Sequence, residues 1–289
     1  MAESLSEQIA RVFIAACEDE LAAPKPGNVH IYAPGHGMEA QDFIASAAAA
    51  APHLAAAEAS VGARILGAVE ATWARVGCNT NLGIILLCAP LAHAALREGE
   101  GGLAEKLAAT LESLDSSDAD LAFRAILRAS PAGLGSASQH DVAEPAQISL
   151  AEAMALAADR DLVARQYANG FADIFGLGQE AIRGARARGH DRETVTLLLF
   201  MTYARLFADT HIQRKFGEKV ALETLTRFRE AASLLDAAHD RDSMFRIALK
   251  LDHSLKKSGY NPGACADLTV AALFVDSLLA ILPNVHKNG

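Results

Sequence analysis

The sequence predicts an all-α fold: one compact multi-helix domain over residues 1–289, with a buried central helix around 80–96. Three observations carry this prediction. Hydrophobic residues make up 51% of the chain and many are alanine, the best helix former. Aromatics are only 6%, and few segments are rich in the Val, Ile, Thr and Tyr that strands favour. No linker, charge run or fixed-period repeat divides the chain, so one set of packed helices is the simplest arrangement. A chain of 289 residues buries a large core without disulfides or a structural metal.

The elements follow in order. Residues 4–22 place Ile9, Val12, Phe13, Ala16 and Cys17 at helical spacing behind a Ser4 or Ser6 cap. Pro24, Pro26, Gly27, Pro34, Gly35 and Gly37 then exclude helix. Two alanine-rich helices fit 39–59 and 61–76. After Gly77-Cys78-Asn79-Thr80-Asn81 a helix runs through Leu82–Leu96, apolar on nearly every face and therefore central. Shorter helices fit 102–113 and 117–128, before a second loop from Ser130 to Pro145 that contains Asp141. Helices resume at about 149–170, 177–188 and 192–207. A third break spans Asp209 to Gly217, and helices follow at about 218–238 and 241–250. The fourth break, Lys256 to Gly263, precedes a last apolar helix over about 264–282.

Composition excludes several functions. The net charge is −9, and the basic stripe that a nucleic-acid backbone requires is missing. Cys17, Cys78, Cys88 and Cys265 form no Cys-x-x-Cys pair, so they suggest neither a zinc site nor a disulfide framework and fit a reducing, cytoplasmic setting. The first eight residues are polar and acidic, unlike a signal peptide. The longest apolar run, Leu82 to Ala95, is short for a bilayer, so no membrane partner is expected. A homodimer suits a cytosolic enzyme.

The helices are bland and the breaks are not. Asn79 or Thr80 caps the central helix, and two amides within three residues, Asn79 and Asn81, exceed what capping needs. That helix start is an anion site. Asn261-Pro262-Gly263 repeats the design: Asn261 is the expected cap, Gly263 permits close approach, and Asp267 lies one turn on, on a small, apolar face. Asp209, His211 and Lys215 gather in the third break, suited to a metal-bound phosphate, although a helix end accounts for Arg214 and Lys215 equally well. In the first loop Lys25 is stiffened between two prolines, and His30, His36 and Asp42 complete a fourth cluster. Asp159-Arg160-Asp161 reads as a surface ion-pair patch at a helix junction.

The Lys25-Pro26-Gly27 loop, the Asn79-Thr80-x-x-Gly83 stretch and Pro262-Gly263-x-x-Ala266-Asp267-Leu268, in this order, resemble the triphosphoribosyl-dephospho-CoA synthase family from about Glu18 to about Leu278. The resemblance implies an all-α enzyme that takes ATP and 3′-dephospho-CoA, releases adenine and joins the triphosphoribosyl group to a ribose hydroxyl. The chain departs from the family pattern at Asn81-Leu82, where His-Lys is usual. Ala264-Cys265 replaces Gly-Ser, and Asn28-Val29-His30 replaces Leu-Val-Asp. A ribosyl or phosphoribosyl transfer in another coenzyme pathway, such as a pterin coenzyme, stays open. So do a magnesium-dependent hydrolase of ribosyl bonds and a non-catalytic nucleotide sensor.

For the transfer, Asp267 is the expected base or oxocarbenium stabiliser. Asp209 is second choice or a Mg²⁺ ligand, with Asp42 as a further ligand. Lys25, His211 and Lys215 are expected on phosphates. Gly27, His30, Asn79, Thr80, Asn81, Gly83, Asn261 and Gly263 form the rest of the substrate site. His36 is expected to protonate the leaving adenine.

Overall fold

The computed structural model describes residues 3–131 and 142–282, so Asp141 and most of the second loop lie outside the described residues. Among the described residues there are fourteen α-helices and no named strand. In order they are α1 Leu5–Ala22, α2 Ala40–Leu54, α3 Val61–Val76, α4 Leu82–Leu96, α5 Leu103–Glu112, α6 Ser116–Ala129, α7 Leu150–Ala157, α8 Leu162–Ala168, α9 Gln179–Ala187, α10 Arg192–Leu206, α11 Thr210–Phe216, α12 Glu218–Asp236, α13 Arg241–Lys257 and α14 Gly263–Ile281. A π-helical stretch, Asp173–Gly178, leads into α9.

Short polar side chains start most of these helices by accepting orphan N–H groups of the first turn. Ser4 with Glu7, and Ser149 with Glu152, close reciprocal capping boxes on α1 and α7. Asp115, Asp161, Asp191 and Asp240 cap α6, α8, α10 and α13. The centre is built by α4 and α14. From Ile84 to Leu91 every residue of α4 is buried, and α14 packs against α1, α4 and α10. Each buried Leu or Ile along them contributes roughly 1.5–3 kcal/mol. The expected central helix at 80–96 is therefore α4, with α14 as its equal. Among the described residues α14 is the helix long and apolar enough to cross a bilayer, a feature the sequence reading assigned to no segment, and 67% of that window is buried inside the bundle.

Three boundaries differ from expectation, each for a local reason. The single helix expected over 149–170 is two, because Asp161 accepts from Val163 and Ala164 and starts α8 afresh. The third break is itself helical: Asp209 caps α11. The helix expected to stop near 250 runs to Lys257, which brings Asp252 and Lys256 onto an ordered element. The first loop is held by two reciprocal backbone pairs, His30 with Ala33 and Gly35 with Met38. In the second, His36 (φ 57°) and Gly37 (φ 77°) are both left-handed, the pattern of a type I′ hairpin turn.

Candidate active site

The polar motifs meet at the starts of α4, α11 and α14. Gly263 and Asp267 stand four residues apart and so share one face of α14. His211 of α11 covers Gly263, where a β-carbon would lie 2.7 Å from its Nδ1. The Asp267 carboxyl covers Gly83 in the first turn of α4, where a β-carbon would overlap it. Asp209 ties two helix starts together. Its Oδ1 accepts from the N–H groups of His211 and Ile212 at 2.9 and 3.1 Å, and its Oδ2 from the N–H of Cys265 in α14 at 2.9 Å. The first loop is locked to the fourth break. At Gly27 a β-carbon would lie 2.9 Å from both Pro262 Cδ and the Tyr260 carbonyl, and Asn28 Nδ2 donates to Asn261 Oδ1 at 2.8 Å. Each motif glycine thus admits a group from another motif.

The electrostatics are set by burial among acids. Asp267 is pushed well above the carboxylate range by burial first, then by Asp209, Glu20 and Asp161, with Arg214 opposing. It keeps a narrow opening to solvent and accepts no hydrogen bond among the described residues. Burial also raises Asp209 to about 6, against the pull of its backbone bonds. His211 is depressed to about 4 by burial, then by Arg214, Lys215 and His36, so its ring is neutral at pH 7. At the start of α4 the Asn81 Nδ2 is buried without a hydrogen-bond partner, an arrangement that costs free energy until something fills it. The site therefore offers an unpartnered carboxyl, an unpartnered amide donor and a neutral imidazole around three helix N-termini.

Several expected site residues have other tasks. Lys25 is fully buried, with Nζ on Glu20 Oε1 at 2.9 Å and on the Val29 carbonyl at 2.7 Å, and so faces no phosphate. His30 is buried too, with Nε2 3.3 Å from Asp252 Oδ2 and Nδ1 without a partner. The Thr80 hydroxyl donates to Ser46 Oγ at 2.6 Å. The N-cap of α4 is Asn81 rather than Asn79 or Thr80, and it makes no side-chain cap bond; Asn79 Oδ1 accepts the Leu82 N–H at 3.2 Å from two residues before it. Asn261 is occupied by Asn28, and Pro262 rather than Asn261 is the N-cap of α14. Lys215 is exposed, beside the Phe216 ring. His36 Nε2 lies 2.8 Å from the Gly27 carbonyl. The junction residue Asp161 caps α8 and pairs with Arg214 at 3.3 Å.

The metal assignments fare poorly. Both Asp209 oxygens are taken by backbone N–H groups, and Asp42 Oδ2 accepts the Glu39 N–H at 2.8 Å in a capping box. Among the described residues no three His, Cys, Asp or Glu side chains converge on a metal position. These residues do not fit a resident ion. A magnesium ion that enters with a triphosphate needs only one or two carboxylates.

Sequence reasoning missed Glu20, Asp252 and Lys256. Asp252 accepts from the Gly27 N–H at 2.9 Å and pairs with Lys256 at 3.0 Å. Asp252 and Lys256, four apart on a helix, look like an ordinary surface pair. Glu20 carried a usable signal, since an acid in the last turn of a helix opposes the dipole. A groove of about 300 Å³ between α9, α10 and α12, lined by Leu198, Met201 and Leu235 among others, lies away from the motifs and gathers none of their polar side chains.

Comparison with known proteins adds two findings. The family described as ATP:dephospho-CoA triphosphoribosyl transferase matches residues 6–285. A crystal structure from Archaeoglobus fulgidus, described as a triphosphoribosyl-dephospho-CoA synthase, superposes with a TM-score of 0.62 at 24% identity, covering 82% of this chain and 98% of that one; at that identity it establishes the shared fold. No curated protein matches the sequence.

Proposed function

The chain belongs to the ATP:dephospho-CoA triphosphoribosyl transferase family, and from that premise we propose how its own residues carry the reaction. The activity is transfer of the triphosphoribosyl group of ATP to dephospho-CoA. The bond from C1′ to the adenine N9 breaks, and a bond from C1′ to an acceptor hydroxyl oxygen forms. Positive charge builds on the ribose, as it does in glycoside hydrolysis. Adenine leaves as a neutral base only if a ring nitrogen takes up a proton.

Asp267 supplies that proton. The observation that carries this role is its carboxyl: set over Gly83 at the start of α4, unpartnered and surrounded by other acids, it is held protonated. A group so placed is an acid before it is a base. Asn81 Nδ2 and the free N–H groups of the α4 first turn bind phosphate or ribose oxygens. His211, neutral, donates or accepts a hydrogen bond rather than a charge. Arg214 and Lys215 of α11 are the nearby cations. With Leu82 apolar and Lys25 buried on Glu20, the triphosphate brings magnesium as its own counter-ion.

The test is to incubate the protein with ATP, Mg²⁺ and 3′-dephospho-CoA, following free adenine and the mass of the CoA product. Adenine together with the triphosphoribosyl adduct is expected, and Asp267→Asn lowers turnover by about 10²–10⁴. Near-normal turnover in Asp267→Asn removes the assignment. Adenine without an adduct turns the reading to hydrolysis.

A further inference from the structure

Gly27 is held at both ends of its backbone. Its N–H donates to Asp252 Oδ1 at 2.9 Å, and its carbonyl lies 2.8 Å from His36 Nε2. A carbonyl oxygen only accepts, so Nε2 carries the proton and Nδ1 of the neutral ring is left with its lone pair. Asp252 is fixed in turn, by Lys256 on Oδ1 at 3.0 Å and by His30 on Oδ2 at 3.3 Å. Lys256 Nζ also donates to the Ala33 carbonyl at 3.0 Å, which anchors the turn just before His36. The hairpin of Gly35 and Met38 sets the backbone of His36, with reciprocal bonds of 3.1 and 2.9 Å. The imidazole is therefore fixed in backbone, tautomer and hydrogen bond. Gly27, whose carbonyl it holds, abuts Pro262, the N-cap of α14, where a β-carbon on Gly27 would lie 2.9 Å from Pro262 Cδ, so the ring is tied to the helix start that His211 covers.

We propose that His36 is the general base of the transfer, taking the acceptor hydroxyl proton on Nδ1, and that Asp252 is its positioning residue through Gly27. This rests on the transferase reading and reverses the acid role that the sequence suggested for His36. Proton exchange at Nε2 would have to break the Gly27 bond, so Nδ1 is the nitrogen left to exchange a proton, and with Asp267 supplying the proton that adenine needs, the proton left for His36 is that of the acceptor hydroxyl. The step balances. The acceptor O–H loses its proton to His36, the oxygen forms the bond to C1′, the C1′–N9 pair stays with adenine, and adenine receives a proton from Asp267. An imidazolium and a carboxylate are left to re-equilibrate with solvent. The histidine orientation follows the same logic as other active-site imidazoles, where the bond at one ring nitrogen decides what the other can do.

The discriminating experiment uses a donor that needs no acid. N7-methylated ATP carries a cationic purine, which departs without protonation. Turnover of ATP and of N7-methyl-ATP onto dephospho-CoA is compared in wild type, His36→Gln and Asp267→Asn. A base is needed whichever purine leaves, so His36→Gln is expected to lose about 10²–10⁴ in kcat with both donors. Asp267→Asn is expected to recover with the methylated donor. Recovery of His36→Gln by the methylated donor makes His36 the acid and overturns the proposal. A second measurement needs no turnover: ¹⁵N-histidine NMR of the free protein should show the His36 Nε2–H tautomer, and Asp252→Ala should mix the two tautomers while the fold, read by circular dichroism, persists. A dominant Nδ1–H tautomer in wild type overturns the proposal. Wild type that transfers nothing from ATP, while showing the Nε2–H tautomer, removes the transferase reading and not the geometry.

Discussion

Gly83 and Asp267 occupy one space: the carboxyl on α14 lies where a β-carbon on α4 would be. The atom in the way is the end of a rotatable side chain and not backbone. Gly83→Ala should therefore fold and displace the carboxyl. Stability should change by no more than about 1 kcal/mol, with helix propensity favouring alanine, while adenine release falls at least as far as in Asp267→Asn. Paired denaturation and turnover measurements check this. Wild-type activity in Gly83→Ala would show that the position of the carboxyl is immaterial.

Lys25 and Glu20 form an ion pair with side chains 0% and 5% exposed. Removing one partner of such a pair leaves a bare buried charge, at about 3–5 kcal/mol. Lys25→Met should destabilise by that amount, and Glu20→Gln/Lys25→Met should recover much of it. If Lys25 instead bound phosphate, the single variant would keep its denaturation midpoint and lose ATP affinity.

The Asn81 Nδ2 has nothing to lose in the free protein. Asn81→Ala should leave stability within about 1 kcal/mol and raise the KM for ATP about tenfold, the equivalent of one hydrogen bond of about 1.4 kcal/mol. An unchanged KM with a lowered melting point assigns the amide to the fold alone.

Asp209 and His211 respond to pH in opposite senses. Asp209 sits at about 6 in the folded chain against 3.8 ordinarily, so the native state holds its proton longer and stability falls as pH rises from about 4 to about 6. His211 sits at about 4 against 6.5, so the unfolded chain takes the proton first and stability falls as pH drops from 6.5 to about 4. Each contributes about 3 kcal/mol across its window, and the two nearly cancel. Urea titrations should show wild type gaining on His211→Gln as pH rises through this range, and losing to Asp209→Asn. Parallel curves for either variant would mean that residue titrates alike in the folded and unfolded chains.

The all-helical class was legible because alanine and leucine recur at helical spacing and the breaks are punctuated by Pro and Gly. The central position of α4 was legible because it has no polar face. Asp267 stood out as a carboxylate on an otherwise apolar helix start, though not its place over Gly83. What pattern could not show was pairing across the chain. Lys25 reads as a phosphate-binding cation until Glu20, five residues back, is seen beneath it. Asp252 reads as half of a surface pair until Gly27, 225 residues away, donates to it. His36 was noticed, but that its Nε2 is occupied by the Gly27 carbonyl, nine residues back, is visible only in the fold.

The three motif glycines bear on how such a chain can vary. The space beside Gly27 is taken by Pro262, beside Gly83 by Asp267, and beside Gly263 by His211. A library that randomises any one of these positions and is selected for turnover should return glycine almost alone. A library that randomises a glycine together with its occupant should return new pairs of similar combined volume at Gly263 with His211. At Gly83 with Asp267 such pairs should fold and be inert. Spatial tolerance and chemical tolerance would then part company at that one pair, which lets selection for folding and selection for turnover be read separately.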